Sequence, residues 1–202
     1  MRLWLAGVLL AAAVPAAAQT VEIVPFGGYR FGGSFDVVEG GRIAEVKESA
    51  SFGASLTVSV AEDGEIEALF ARQDTRLASD ALFTSTPLFD LAVETWQIGG
   101  NYLLRDAEDN VRPYIGAALG VTRLVPEPSD LESETRFSAS FAGGVKVQLA
   151  RHVGLRLEVR GFFTVLESDS RVFCDSFSGC LVQTSGSELS QGEVRGGLVF
   201  RF

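Results

Sequence analysis

Apolar and polar residues alternate with a period of two along most of this chain. The clearest block puts Phe52, Ala54, Leu56, Val58 and Val60 on one face and Ser51, Gly53, Ser55, Thr57 and Ser59 on the other. Successive side chains of a strand point to opposite sides, so this pattern predicts a strand between an apolar and a polar environment. The same reading gives eight segments: Val21 to Gly33, Ser49 to Val60, Glu65 to Leu77, Leu91 to Leu104, Arg112 to Leu124, Glu134 to Leu149, Gly154 to Leu166 and Gln191 to Phe202. The last sets Val194, Gly196, Leu198, Phe200 and Phe202 against Glu193, Arg195, Gly197, Val199 and Arg201, and it alternates to the final residue. Pro25 weakens the first segment as a central strand, because proline cannot donate to the ladder.

The connections are of two kinds. Ala61 to Gly64, Arg105 to Asn110 and Ala150 to Val153 are short turns; Ser34 to Lys47, Ala78 to Leu88, the stretch with Pro126 and Pro128, and Glu167 to Ser190 are long. Long and short alternate, so an up-and-down meander gathers the short turns and both termini at one end and the long loops at the other. Every segment reaches the roughly 9–11 residues that a tilted strand needs to cross a bilayer.

The chain opens with Met1-Arg2, an apolar run from Leu3 to Val14, Pro15 and Ala16-Ala17-Ala18. That order is the pattern of a secretory signal peptide over residues 1–18, cleaved after Ala18, with the barrel domain at 19–202. No later stretch is apolar for long enough to be a membrane helix.

Alternation does not say which face is inside. A soluble lipocalin-like barrel alternates too, with the apolar face inward. Here the polar face is rich in small residues, among them Ser51, Gly53, Ser55, Gly116, Gly120, Ser138, Ser140 and Gly144. A narrow eight-strand interior suits such residues around a few large ones. Lys146, Arg156, Glu158, Arg160, Glu193 and Arg195 lie on that face, with Glu22 and Glu67 earlier in the chain. Buried charges need partners, so these eight are expected to interlock and plug the lumen. The alternative for them is a solvated outer face. With the polar face inside, Trp96, Tyr102, Phe137, Phe200 and Phe202 become lipid-facing or interfacial.

Composition sharpens this picture. An exported chain of 202 residues with 47% hydrophobic residues, mean hydropathy +0.22, 22 Gly and 15 Phe points to a barrel. A net charge of −9 disfavours a nucleic-acid partner. Cys174 and Cys180 enclose a short stretch, which in an oxidising compartment reads as a local disulfide. Their spacing and surroundings support no redox or zinc site. The sole histidine, His152, falls in a short turn, opposite the long loops and without a nucleophile beside it. No catalytic, cofactor or metal site is expected, and no enzymatic activity.

Val24-Pro25-Phe26-Gly27-Gly28-Tyr29-Arg30-Phe31-Gly32-Gly33 and Leu198-Val199-Phe200-Arg201-Phe202 resemble the small eight-stranded outer-membrane β-barrel family of OmpX and the OmpA transmembrane domain. The resemblance covers the whole mature chain. It implies an all-β, eight-stranded antiparallel up-and-down transmembrane barrel in the outer membrane of a Gram-negative bacterium, exported through the general secretory route. Its implied partners are the outer-membrane bilayer, periplasmic chaperones and the barrel-assembly machinery. That machinery would read Leu198, Phe200 and Phe202 as a C-terminal insertion signal. The short turns become periplasmic and the four long loops extracellular. OmpA proteins often add a peptidoglycan-binding domain; none follows Phe202, so no cell-wall tether is expected. The functional expectation is a non-enzymatic structural or surface-interaction barrel with a plugged lumen. The alternatives are a small channel or carrier for small or apolar solutes, and a soluble periplasmic ligand-binding barrel. The sequence does not identify what the loops bind.

Overall fold

A computed structural model describes residues 20–37, 42–81, 84–104, 109–127, 133–165, 171–175, 179–183 and 188–202. The predicted signal peptide lies outside them. Twelve strands are described in chain order: β1 (Val21–Phe31), β2 (Ser34–Val37), β3 (Arg42–Val46), β4 (Ser49–Ser59), β5 (Gly64–Ala81), β6 (Thr84–Leu103), β7 (Val111–Pro126), β8 (Glu134–Ala150), β9 (Val153–Val165), β10 (Arg171–Asp175), β11 (Gly179–Gln183) and β12 (Glu188–Arg201). Eight of them, β1, β4, β5, β6, β7, β8, β9 and β12, pair antiparallel each with the next, and β1 pairs with β12 to close the ring. Closure leaves no edge to be satisfied by solvent. The eight barrel strands fall on the eight alternating segments.

The long connections differ from the expectation of plain loops. Within Ser34 to Lys47, β2 pairs with β3, and β3 adds to the barrel wall through Ile43↔Asp80 to Val46↔Leu77. Within Ala78 to Leu88, β5 and β6 continue as a protruding hairpin as far as Ala81↔Thr84. Pro87 is tolerated there because β6 meets β7 only from Leu91↔Pro126 onward, so its missing N–H falls beyond that ladder. The register also slips between Leu77 and Ala78, next to that proline's partner. Within Glu167 to Ser190, β10 and β11 form a separate hairpin. Polar composition hid these strands, since strands beyond the bilayer need no apolar outer face.

Pro25 lies in β1, whose ladder with β4 runs on through Pro25↔Ala54, while the ladder with β12 is interrupted at Val24 and Pro25, between Ile23↔Phe200 and Phe26↔Gly197. The closing strand also ties the start of β1 to the last residue: the Val21 N–H donates to the Phe202 carbonyl (3.3 Å) and the Phe202 N–H to the Val21 carbonyl (2.9 Å).

Candidate functional site in the barrel interior

The outer wall is apolar and the inner wall is charged. Ile98 is 68% exposed, Phe141 63% and Leu157 58%, whereas Arg30 and Glu193 are fully buried. A soluble barrel would show the reverse, and the lipocalin-like alternative falls on this observation. Trp96, Tyr102, Phe137, Phe200 and Phe202 all project outward, as does Leu198.

Inside, the strands deliver one charged side chain after another at every second residue. At the turn end, Lys146 Nζ on β8 reaches Glu22 (2.6 Å) on β1 and Glu65 (2.7 Å) on β5, and Arg201 Nη2 closes on Glu22 at 2.7 Å. Higher up, Arg156 Nη2 bridges Glu67 and Glu158, both at 2.5 Å. Arg160 spans the same two acids at 2.6 and 2.7 Å, and Arg195 Nη2 reaches Glu158 at 2.5 Å. Tyr114 donates its hydroxyl proton to Glu158 and accepts from Arg156 Nε at 2.6 Å. Still nearer the loops, Arg30 Nε pairs with Glu193 Oε2 at 2.7 Å.

The guanidinium faces are covered by rings. Arg30 stacks on Phe162 (4.2 Å), Arg195 on Phe26 (4.1 Å) and Arg156 on Tyr114 (4.8 Å). Such stacking satisfies the weakly hydrated faces that hydrogen bonds cannot use. Two glycines make the room: a Cβ on Gly144 would lie 2.6 Å from the Tyr114 hydroxyl, and one on Gly53 2.7 Å from the Phe26 ring. Gln97 links Ser138 (3.1 Å) and Ser140 (2.6 Å), and Ser140 accepts from Arg160 (2.9 Å).

Above the charges apolar side chains join the interior, beside the buried Gln73, Thr75 and Gln191. Val46, Leu77, Leu91, Val93, Leu124 and Leu189 are all buried. Val46 faces Leu77 and Val93 faces Leu124 across the sheet. Gly33, held at φ +106°, lets Leu189 and Val46 close over the β1 end. At the same height the outer wall becomes charged. Phe70, Trp96, Val121 and Phe137 form one cross-strand row, and the next row up carries Arg72, Glu94 and Arg123.

All eight charges expected in the lumen project inward and are buried. Three members of the interior ion-pair network were not anticipated: Arg30, Glu65 and Arg201. Arg30 and Glu65 each show the right parity, two residues beyond Gly28 and two before Glu67. Each was hidden by its position near a presumed loop or turn. His152 lies in a turn, its Nδ1 3.1 Å from the Arg201 carbonyl. Cys174 and Cys180 occupy directly opposed positions of β10 and β11. No group of metal-ligating residues occurs among the described residues.

The sequence matches the Outer membrane protein beta-barrel domain family over residues 5–202. The chain belongs to that family. Its fold is similar to that of the Neisserial surface protein NspA (16% identity, 91% of this chain and 97% of that one, TM-score 0.58). It is also similar to OprG from Pseudomonas aeruginosa (13% identity, 92% and 96%, TM-score 0.63). A third is the outer membrane protein AlkL (13% identity, 91% and 90%, TM-score 0.55). At these identities the likeness is one of fold. No curated protein gives a significant sequence match.

Proposed function

We propose that this family member is a sealed, non-enzymatic barrel of the Gram-negative outer membrane whose role is structural or surface interaction through its loop end. The observation that supports this most is the chain of cross-strand ion pairs that spans the interior from Arg201 and Lys146 at the turn end to Arg30 and Glu193 nearer the loops. The recess beside Lys146, Gln148 and Arg201 measures only about 10 Å³, room for roughly one water. A water channel needs an open polar path, and the paired side chains of Glu67, Arg156, Glu158 and Arg160 stand across it. A carrier for apolar solutes needs an apolar path, and the same ion pairs oppose it.

In this reading the short turns face the periplasm and the β2–β3, β5–β6 and β10–β11 hairpins face outward. The chain is exported through the general secretory route, loses residues 1–18 and is handed by chaperones to the barrel-assembly machinery. Leu198, Phe200 and Phe202 serve there as the insertion signal. Cys174 and Cys180 form a disulfide that fixes the outermost hairpin.

The test is conductance of the refolded barrel in planar bilayers. Sealed barrels give no resolved single-channel steps at any voltage that the bilayer tolerates. Stable, reproducible steps would overturn the reading in favour of a channel.

A further inference from the structure

The charged plug divides into two unequal groups. At the turn end Lys146 and Arg201 meet Glu22 and Glu65, two cations for two carboxylates. Nearer the loops Arg30, Arg156, Arg160 and Arg195 share Glu67, Glu158 and Glu193, four cations for three carboxylates. Among the described residues of this group the excess is one positive charge, and it is buried. Arginine cannot relieve it by losing a proton. A buried charge left without a partner costs several kcal/mol.

The unmet hydrogen-bonding capacity gathers where that excess lies. Among the described residues, Arg30 Nη1 and Nη2, Arg195 Nη1 and the hydroxyls of Ser49 and Ser51 are buried without a hydrogen-bond partner, five groups able to donate against one unmet acceptor there, Glu193 Oε1. Arg30, Arg195 and Ser51 are each at least 96% buried. Both guanidiniums turn towards one carboxylate, Glu193, which Arg30 holds at 2.7 Å and Arg195 Nη1 approaches only to 3.6 Å, too far for a hydrogen bond. The register makes these groups neighbours: Ser49 is opposite Arg30, and Gly28 sits between Ser51 on β4 and Arg195 on β12. A Cβ on Gly28 would fall 2.8 Å from Arg195 Cβ and 3.1 Å from Ser51 Oγ, so the missing side chain is what lets the two converge.

We propose that this corner of the lumen, formed by Arg30, Arg195, Ser49 and Ser51 on β1, β12 and β4, binds a small monovalent anion of halide size. The anion neutralises the fourth arginine and accepts from the guanidinium N–H groups and the serine hydroxyls. It enters during folding, before the side chains above it pack, and acts as a resident structural ion.

The experiment refolds the full mature barrel in sodium bromide and collects anomalous diffraction from its crystals. The proposal expects a bromide peak within hydrogen-bond reach of Arg30 and Ser51. Refolding in chloride should also raise Tm by about 2–4 °C over refolding in gluconate at equal ionic strength. Ser51→Ala keeps every ion pair and should lose most of that difference. Arg30→Met removes the excess charge and should abolish it; should that variant not fold, Ser51→Ala and the anomalous map still decide. No bromide at this corner, or equal Tm in chloride and gluconate for the unaltered protein, would mean that water alone serves these donors and would overturn the proposal.

Discussion

The barrel changes polarity along its own length. Below the row Phe70–Trp96–Val121–Phe137 the outside is apolar and the inside is charged. Above it Arg72, Glu94 and Arg123 face outward, while Leu77, Leu91, Val93, Leu124 and Leu189 are buried beside Gln73, Thr75 and Gln191. On the outer face of β5, Ile66, Ala68 and Phe70 give way to Arg72, Asp74 and Arg76, while its inner face passes from Glu65 and Glu67 through Leu69, Ala71, Gln73 and Thr75 to Leu77, with no charge after Glu67. The alternation of inward and outward positions on β5 continues from Glu65 to Leu77, and its ladder with β6 is unbroken over that stretch. In hydrocarbon an apolar outer face is stable and the interior can hold paired charge. In water the hydrophobic effect requires the opposite arrangement. The reversal therefore marks where the barrel leaves the bilayer.

The two halves should respond differently to substitution. The largest effect is expected in the plug: Glu158→Leu strips a shared carboxylate from Arg156, Arg160 and Arg195. Loss of about 3–5 kcal/mol follows, read as loss of the heat-modifiable folded band and a lower urea midpoint. In the loop-side interior, Leu124→Ala should cost about 2–5 kcal/mol by opening a cavity, as an ordinary soluble core does. Hydrogen exchange should then rise in β5, β6 and β7 above the aromatic row, more than in the plug below it.

On the outer wall, Leu157→Arg places a charge in hydrocarbon and should cost about 2–4 kcal/mol in refolding titrations. The converse change above the aromatic row, Arg76→Ala, loses an exposed pair with Asp90 (2.8 Å). It should cost less than about 1 kcal/mol, and less again at high salt. An intermediate effect tests the β10–β11 hairpin: Cys174→Ser should lower stability by about 2 kcal/mol if the loop-closure model holds. Mass analysis of the unaltered protein should show the two thiols oxidised.

The period-two pattern made the eight spanning strands legible, because each has unlike environments on its two faces. It was equally informative for the plug: Arg156, Glu158 and Arg160 recur at one parity, and such charges opposite Leu155, Leu157 and Val159 have to face inward. The extensions were harder to read. Residues 42–46, 79–81 and 84–86 form strands yet carry a mixed polarity that in sequence resembles a loop. Arg30 was missed for a related reason. It stands near the end of a segment rich in Gly and aromatics, and its partner Glu193 is 163 residues away. Pairings of that range follow from barrel closure, which local alternation does not encode. Glu65 was lost beside the Asp63-Gly64 turn, where an acid is read as solvated.

The polarity reversal is most directly tested by spin-label accessibility along the outward face of β6 in lipid vesicles. Labels at Trp96, Ile98 and Tyr102 should be reached by oxygen and protected from a water-soluble nickel reagent. Labels at Glu94 and Asp90 should show the opposite, with the crossover between residues 94 and 96. Nickel accessibility along the whole strand, or a crossover elsewhere, would contradict the account.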